Sequence, residues 1–288
     1  MAQNLEDLAR RGRMLGSIGG IVRTMKTLAA VNAAPYEQAA TAIEAYHQTI
    51  RQGFAAFAYR MGAQALPPFP PARQRIVAAF GSDHGFCGNY NDLVAQAVQQ
   101  LQAPHDARRL VVLCIGARLQ AALHERGLQA ARVLTPPASA EGIGRLAGDV
   151  VARIERLGSG DPLAGAVVSL VYTRRAAHGG RAPVVSALLP LDRALLQPLR
   201  RWPSRALPDF AMAPQALLAA LVRSHIFASV FHASAEAMVT ENAARLALMQ
   251  QAEQSVDERL DRLKRQISTV RQDDITSELM DLVIGHVQ

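Results

Sequence analysis

The residues best placed to do chemistry are the eight at 81–88, Gly-Ser-Asp-His-Gly-Phe-Cys-Gly, a glycine-rich turn between an apolar stretch and a helical one. Ligands bind at such strand ends in open α/β sheets. Cys87 near a helix N-terminus suits a lowered thiol pKa, and His84 is the candidate base, so thiol nucleophilic catalysis is the chemistry these types offer. The spacing matches neither a phosphate-binding G-x-x-x-x-G-K-[ST] nor a dinucleotide G-x-G-x-x-G, and glycine is equally what a tight turn requires. A second glycine run, Gly142, Gly144 and Gly148, follows Pro136 and Pro137 and reads as a loose helix start.

His225 and His232 lie seven apart on one helical face without a carboxylate or third ligand beside them, the pattern of half-buried structural histidines rather than a metal site. Cys87 and Cys114 have no ligand-like spacing, so neither a metal nor a disulfide is expected, and Cys114 belongs to an apolar core strand. Arg174, Arg175 and Arg181 flank Gly179 and Gly180 as a basic loop, open to reading as a solvated surface or a docking patch. Trp202 among prolines reads as a packing anchor.

The elements that must hold these residues are of two kinds. From 3 to about 60, apolar or small residues recur at Leu8, Leu15, Ile18, Val22, Met25, Ala29, Tyr36, Ala40, Ile43, His47, Ile50, Phe54 and Phe57, steps of three and four that make a coiled-coil seam. Gly12, Gly16, Gly19 and Gly20 each cost up to ~1 kcal/mol in a helix, and Pro35 removes a backbone donor and is expected to kink it. Residues 66–71, Leu-Pro-Pro-Phe-Pro-Pro, form a linker. Then the period changes: strands at 75–80 and 109–115 alternate with helices at 91–101 and 117–126, a helix spans 139–157, and strands follow at 166–173 and 183–191. After Pro198, Pro203, Pro208 and Pro214, a proline-free stretch from Gln215 carries the seam Leu246, Met249, Ala252, Val256, Leu260, Leu263, Ile267 and Val270, which shifts to Ile275, Leu279 and Leu282. At 1.5 Å per residue this helix reaches about 100 Å.

Neither terminal helix can bury its stripe alone. The expected fold is α/β: a long antiparallel two-helix coiled coil from the N- and C-terminal helices, plus a central Rossmann-like α/β domain. The expected boundaries are 1–65, 66–208 and 209–288.

The 288 residues are half hydrophobic and 19% charged, too apolar for a disordered chain. The uninterrupted apolar runs fall short of the ~18 residues of a membrane span, and no secretory h-region follows the start, so a cytosolic address is expected. Net charge is +7, with 31 basic against 24 acidic residues. That balance invites an anionic partner. The ends are oppositely biased, however: residues 1–30 carry Arg10, Arg11, Arg13, Arg23 and Lys26 against Glu6 and Asp7, whereas 241–288 carry nine acids and six bases. A simple nucleic-acid footprint is not the pattern.

Glu241 and Arg245, spaced i,i+4, would contribute only ~0.2–0.5 kcal/mol as an exposed pair. Residues 271–276, Arg-Gln-Asp-Asp-Ile-Thr, interrupt the apolar seam with polar groups, as a solvated face or a contact with another protein would.

Four blocks resemble the γ subunit of rotary F-type ATP synthases. Arg271, Gln272, Ile275, Thr276, Glu278, Leu279, Leu282, Val283 and Gly285 match the family's R-Q-x-x-I-T-x-E-L-x-x-I-V-x-G ending. Residues 240–249, TENAARLALM, are similar to S-E-x-A-A-R-x-x-A-M; residues 21–30, IVRTMKTLAA, to I-T-K-A-M-x-M-V-A-A; and 82–91, SDHGFCGNYN, to S-D-R-G-L-C-G-G-L-N. His84, Asn89 and Tyr90 depart from the pattern, as do the glycines before Ile21 and the stretch from Val31 to Pro35, where the family has a basic cluster; together they suggest a divergent bacterial branch.

The resemblance implies a non-catalytic rotor shaft, single copy, inside a hexamer of α and β subunits. Its α/β domain would sit against the ε subunit and the membrane c-ring, at the cytoplasmic face of a bacterial inner membrane. It would couple H⁺ or Na⁺ flow to ATP synthesis or hydrolysis and regulate that ATPase. It implies no cofactor, metal or nucleic acid. Met25, Lys26, Glu241, Arg245, Arg271, Gln272 and Thr276 would be rotor–stator contacts, and Ser82, Asp83, Gly85 and Gly88 a structural turn. The rival readings are a stand-alone α/β enzyme using Cys87 and a basic coiled-coil nucleic-acid-binding protein.

Overall fold

The computed structural model describes residues 2–62, 72, 74–102, 109–158, 166–176, 180–197 and 201–286. The 66–71 linker, Gly179 and Pro198 lie outside them, as do the side chains of Glu278, Leu282 and Val283. The chain forms two compact units, one of residues 1–31 with 245–288 and one of residues 32–244, and each long helix contributes to both. These helices are α1 (Ala2–Met61), which runs unbroken through Pro35, and α5 (Pro214–His286).

The larger unit is built on five strands: β1 (Gln74–Phe80), β2 (Arg109–Ile115), β3 (Ala130–Leu134), β4 (Ala166–Arg175) and β5 (Arg181–Leu189). Their order is β3-β2-β1-β4-β5, parallel except for β5, which returns antiparallel to β4. The central strands β1, β2 and β4 are apolar almost throughout because both their faces are covered, as expected of a parallel sheet. On one face Ile76, Ala78, Phe80, Leu113, Ile115 and Leu170 pack with α4 (Ile143–Leu157) and with Phe54, Phe57, Leu218, Val222 and Ile226 of the long helices. On the other, Val77, Ala79, Val112, Cys114 and Val171 pack with α2 (Tyr90–Leu101) and α3 (Ala117–Glu125). The period-2 alternation of β1 thus feeds two separate cores.

β3 was not expected. It is a five-residue edge strand whose central Ala131, Arg132 and Val133 are exposed, and its pairing with β2 is irregular at Val112. A short edge strand exposed at its centre has no buried face to impose alternation, so its sequence carries no strand period. The expected helix over 139–157 is α4 preceded by a 3₁₀ turn at Ala140–Gly142. By length and composition α5 also contains an 18-residue window apolar enough to cross a membrane, which counting uninterrupted runs passed over. In that region Leu218, Val222, Ile226 and Val230 are buried in the sheet-facing core.

In the smaller unit the helices are antiparallel. A Cβ on Gly12 would stand 3.3 Å from Leu263 and one on Gly19 3.3 Å from Val256, so seven residues forward on α1 correspond to seven back on α5. Val22, Ala29, Met249, Val256 and Leu263 are buried. Ile18, expected in the seam, is 43% exposed. Gly19 is the buried residue there. The costly glycines are thereby explained in part: at Gly12 and Gly19 the absent side chain allows α5 to approach, whereas nothing lies within 4 Å of a Cβ on Gly16 or Gly20.

Candidate functional site

The turn after β1 leaves the carboxyl end of that strand, where the strand order reverses between β1 and β4, the position at which doubly wound sheets take ligands. Here it is filled by its own chain. Gly81 N–H donates to Ile115 O (2.8 Å), and Arg118 N–H donates to Ser82 O (2.9 Å). A Cβ on Gly81 would stand 2.3 Å from that of Leu119, and one on Gly116, at φ 110°, would meet the Ser82 backbone at 2.7 Å. Both positions require glycine for close approach, and Gly116 for its backbone angle as well.

Ser82 and Asn91 lock the loop. Asn91 Oδ1 accepts from Ser82 N–H (3.0 Å), Asn91 Nδ2 donates to Ser82 Oγ (2.9 Å), and that hydroxyl donates to His84 O (2.9 Å). Asp83 Oδ1 accepts from Ala117 N–H (2.8 Å) and so satisfies an orphan donor at the start of α3. Gly88 has φ 64°, a left-handed conformation that favours glycine, and Gly85 is half-buried in the same loop.

Cys87, 2% exposed, has the Ser82 hydroxyl at 3.5 Å, the Asn91 amide at 3.7 Å and the His84 carbonyl at 3.8 Å. These groups serve the turn's geometry. Burial pushes the Cys114 thiol up to about 12, so that sulfur is a core atom at neutral pH. Asn91 was not singled out as the keystone, since its role depends on a partner nine residues back that only the turn brings near. Two family departures make ties of their own: Asn89 Oδ1 accepts from Arg181 Nη2 (2.9 Å), and Tyr90 Oη donates to Ala237 O (3.0 Å).

Arg174, Arg175 and Arg181, expected in a loop, instead end β4 and begin β5, where antiparallel pairing extends to Arg175 and Arg181. Arg174 approaches Glu236 at 3.8 Å and Arg175 approaches Glu37 at 3.3 Å. Trp202 packs on Tyr59 with ring centroids 5.5 Å apart. His47 of α1 joins His225 and His232, a third histidine that spacing along α5 did not supply. Among the described residues no group of three or more metal-ligating side chains is arranged to hold an ion.

The other singled-out residues divide between the units. Met25, Lys26, Arg245, Arg271, Gln272 and Thr276 belong to the smaller unit; Glu241, with the whole turn, belongs to the larger. Met25 is half-buried. Lys26 Nζ lies 2.5 Å from Glu253 Oε2, and Arg23 reaches Glu253 at 3.4 Å and Asp257 at 3.3 Å. Glu241 is not the exposed carboxylate considered above: it is 3% exposed, between the buried Thr240 and Asn242. Its charge adds to burial in raising the pKa of Tyr36, whose hydroxyl donates to Pro137 O (3.1 Å). Arg271, Gln272 and Thr276 are exposed, with Thr276 Oγ1 donating back to Gln272 O.

The smaller unit presents a second apolar surface. Met14, Ile18, Ile21, Leu28 and Val31 are 43–64% exposed along one face of α1, and Ile275, Leu279 and Met280 are 57–61% exposed on α5.

A family model described as ATP synthase matches residues 4–287. The chain is 27% identical over 294 residues to the ATP synthase gamma chain of Anaeromyxobacter dehalogenans, covering 98% of each. It is 23% identical over 286 residues to that of Pelotomaculum thermopropionicum, again covering 98% of each. Its fold is shared with a chain of the Euglena gracilis mitochondrial ATP synthase rotor (TM-score 0.63, 14% identity, 96% of this chain and 100% of that one). It is also shared with one of the Tetrahymena thermophila mitochondrial central stalk and c-ring structure (TM-score 0.56, 16% identity, 81% and 99%). With the model matched from 4 to 287 and both of these gamma chains covered over 98% of their length, the chain belongs to the ATP synthase gamma-chain family.

Proposed function

We propose that this chain is the central rotor shaft of an F-type ATP synthase. It passes rotation driven by ion flow through a membrane c-ring to the nucleotide sites of an α/β hexamer, and carries no catalytic site of its own. The observation that carries this reading is the exposed apolar face of α1 together with the exposed Ile275, Leu279 and Met280 of α5. A paired helix that buries one stripe normally turns polar residues outward, and a second apolar face signals a protein partner. A sleeve of surrounding subunits is such a partner, and an apolar face slides against it without ion pairs that must break at every step.

Met25, Lys26, Arg245, Arg271, Gln272 and Thr276 are proposed as contacts with the α and β subunits; Glu241, expected among them, is 3% exposed and is not proposed as a direct contact. The α/β domain, 66–208 on the sequence reading and part of the larger unit of residues 32–244, is proposed to meet the ε subunit and the c-ring. The complex would lie peripherally on the cytoplasmic face of the inner membrane. The closed turn around Cys87 supports a structural role there over thiol catalysis.

Native mass spectrometry of the tagged chain, isolated gently from its own cells, tests the proposal. One copy with three each of two larger nucleotide-binding chains is expected. A monomer or homodimer free of such partners overturns it.

A further inference from the structure

Three imidazoles meet inside the larger unit. His47 of α1 is 9% exposed; its ring centroid lies 5.8 Å from that of His225 and 6.4 Å from that of His232, both on α5. His47 Nε2 is 3.3 Å from Ser229 Oγ, and Phe54 stands edge-on to His225 at 6.0 Å. The Nδ1 atoms of His225 and His232 are buried without a hydrogen-bond partner. The cluster is embedded in the apolar contact formed by Ile43, Ile50 and Phe54 with Val222, Ile226 and Val230.

A neutral imidazole tolerates such a place, since one ring nitrogen needs no donor role and the ring packs as an apolar disc. An imidazolium does not: both nitrogens become donors, and a charge enters an apolar seam. The charged groups that bear on His47 are Glu44 and Arg51 of α1 and His232 of α5; on His225 they are His47 and Arg51. Glu44, 3.8 Å from His47 Nδ1, is 49% exposed, so it can offset only part of one added charge. Arg51 and the neighbouring rings oppose it.

We propose that His47 and His225, packed with His232, form a pH-responsive clasp, in which the neutral rings of His47 and His225 hold residues 43–54 of α1 against 222–233 of α5 and acidification charges those two and loosens that packing. Burial, with His47 and Arg51 adding to it, holds His225 at about 4, and burial likewise lowers His47. In the opened chain each returns toward the ordinary ~6.5. The open form therefore binds more protons between those values. The clasp's stability is complete above about pH 6.5 and is lost as pH falls toward 4, the sign linkage requires for a base whose folded pKa is depressed.

Hydrogen exchange read by mass spectrometry on the full-length chain, isolated with whatever it assembles with, gives the test. For His225 alone, linkage predicts that opening of the 43–57 and 218–233 peptides, corrected for intrinsic chemistry, rises about tenfold between about pH 7.5 and 5.5. Peptides from 8–30 and 249–265 serve as the internal reference and should not follow. His225→Gln should remove most of the rise. A corrected change below about threefold in the wild type, or one that persists in the variant, overturns the proposal. If the variant does not fold, deuterium exchange at the imidazole C2 of the wild type decides: a His225 midpoint below about 6 supports the clasp, and one at or above it overturns it.

Discussion

Lys26 Nζ and Glu253 Oε2 stand 2.5 Å apart although 227 residues separate them in the chain. The contact joins the two helices of the smaller unit across one edge of their seam. The Lys26 ammonium, hydrogen-bonded to the carboxylate, holds Glu253 below the usual carboxylate value, and Arg23 adds to the effect.

An acid whose folded pKa is depressed stabilises the paired helices above its unfolded pKa, and that contribution disappears as pH falls through the folded value. Glu253→Gln should therefore lower the thermal midpoint of the helical pair at pH 7 and lower it by less at pH 3. Added salt should shrink the difference because the pair is partly exposed. Circular dichroism melts at the two pH values check this; an equal deficit at both would mean the ion pair contributes nothing.

The glycines of α1 should divide into two classes. Nothing lies near a Cβ at Gly20, so Gly20→Ala should stabilise the chain by about 1 kcal/mol through helix propensity. At Gly19 the Val256 methyl is 3.3 Å from the added atom. Gly19→Leu should force the helices apart at a cost of ~1–3 kcal/mol, as overpacking does. Urea unfolding of both variants provides the comparison, and a destabilised Gly20→Ala would contradict the assignment of that face.

Asn91→Ala should destabilise the larger unit by ~1–3 kcal/mol, because the buried Ser82 N–H loses its only acceptor among the described contacts. Cys87→Ser changes one atom in the same turn and should be milder. If the turn is structural, the Cys87→Ser chain also keeps whatever ATPase rate its assembly shows. Loss of turnover with an unaltered melt would revive the thiol chemistry.

Ile21→Arg tests the outward face. Ile21 is 61% exposed, so the chain's own stability should change by no more than about 0.5 kcal/mol. Assembly with nucleotide-binding subunits, followed by native mass spectrometry or ATPase rate, should fall well below wild type. Full assembly and an unaltered rate would show that this face touches no partner.

Much of the architecture was legible in the chain. The seams of the long helices, the apolar strands at 75–80 and 109–115, and the prolines that punctuate them encode local structure through periods of 3.6 and 2 and through backbone chemistry, which need no partner to be read. The glycine turn was visible for the same reason. The family blocks supplied the expected contact residues, a reading that spacing alone could not give to Glu241 and Arg245.

What the tertiary structure decided is everything that depends on residues distant in the chain. It showed that Gly12 and Gly19 face Leu263 and Val256, that Asn91 holds Ser82, that β3 extends the sheet, and that His47 completes a cluster with His225 and His232. It also moved Ile18 out of the seam and buried Glu241. A helix's sequence states which of its faces are apolar; which of two apolar faces is covered depends on the partner helix's register and on where that helix ends. That is why α1 reads as one stripe in sequence, yet the fold leaves Ile18 of that stripe facing outward beside Ile21 and Leu28, which the stripe did not include.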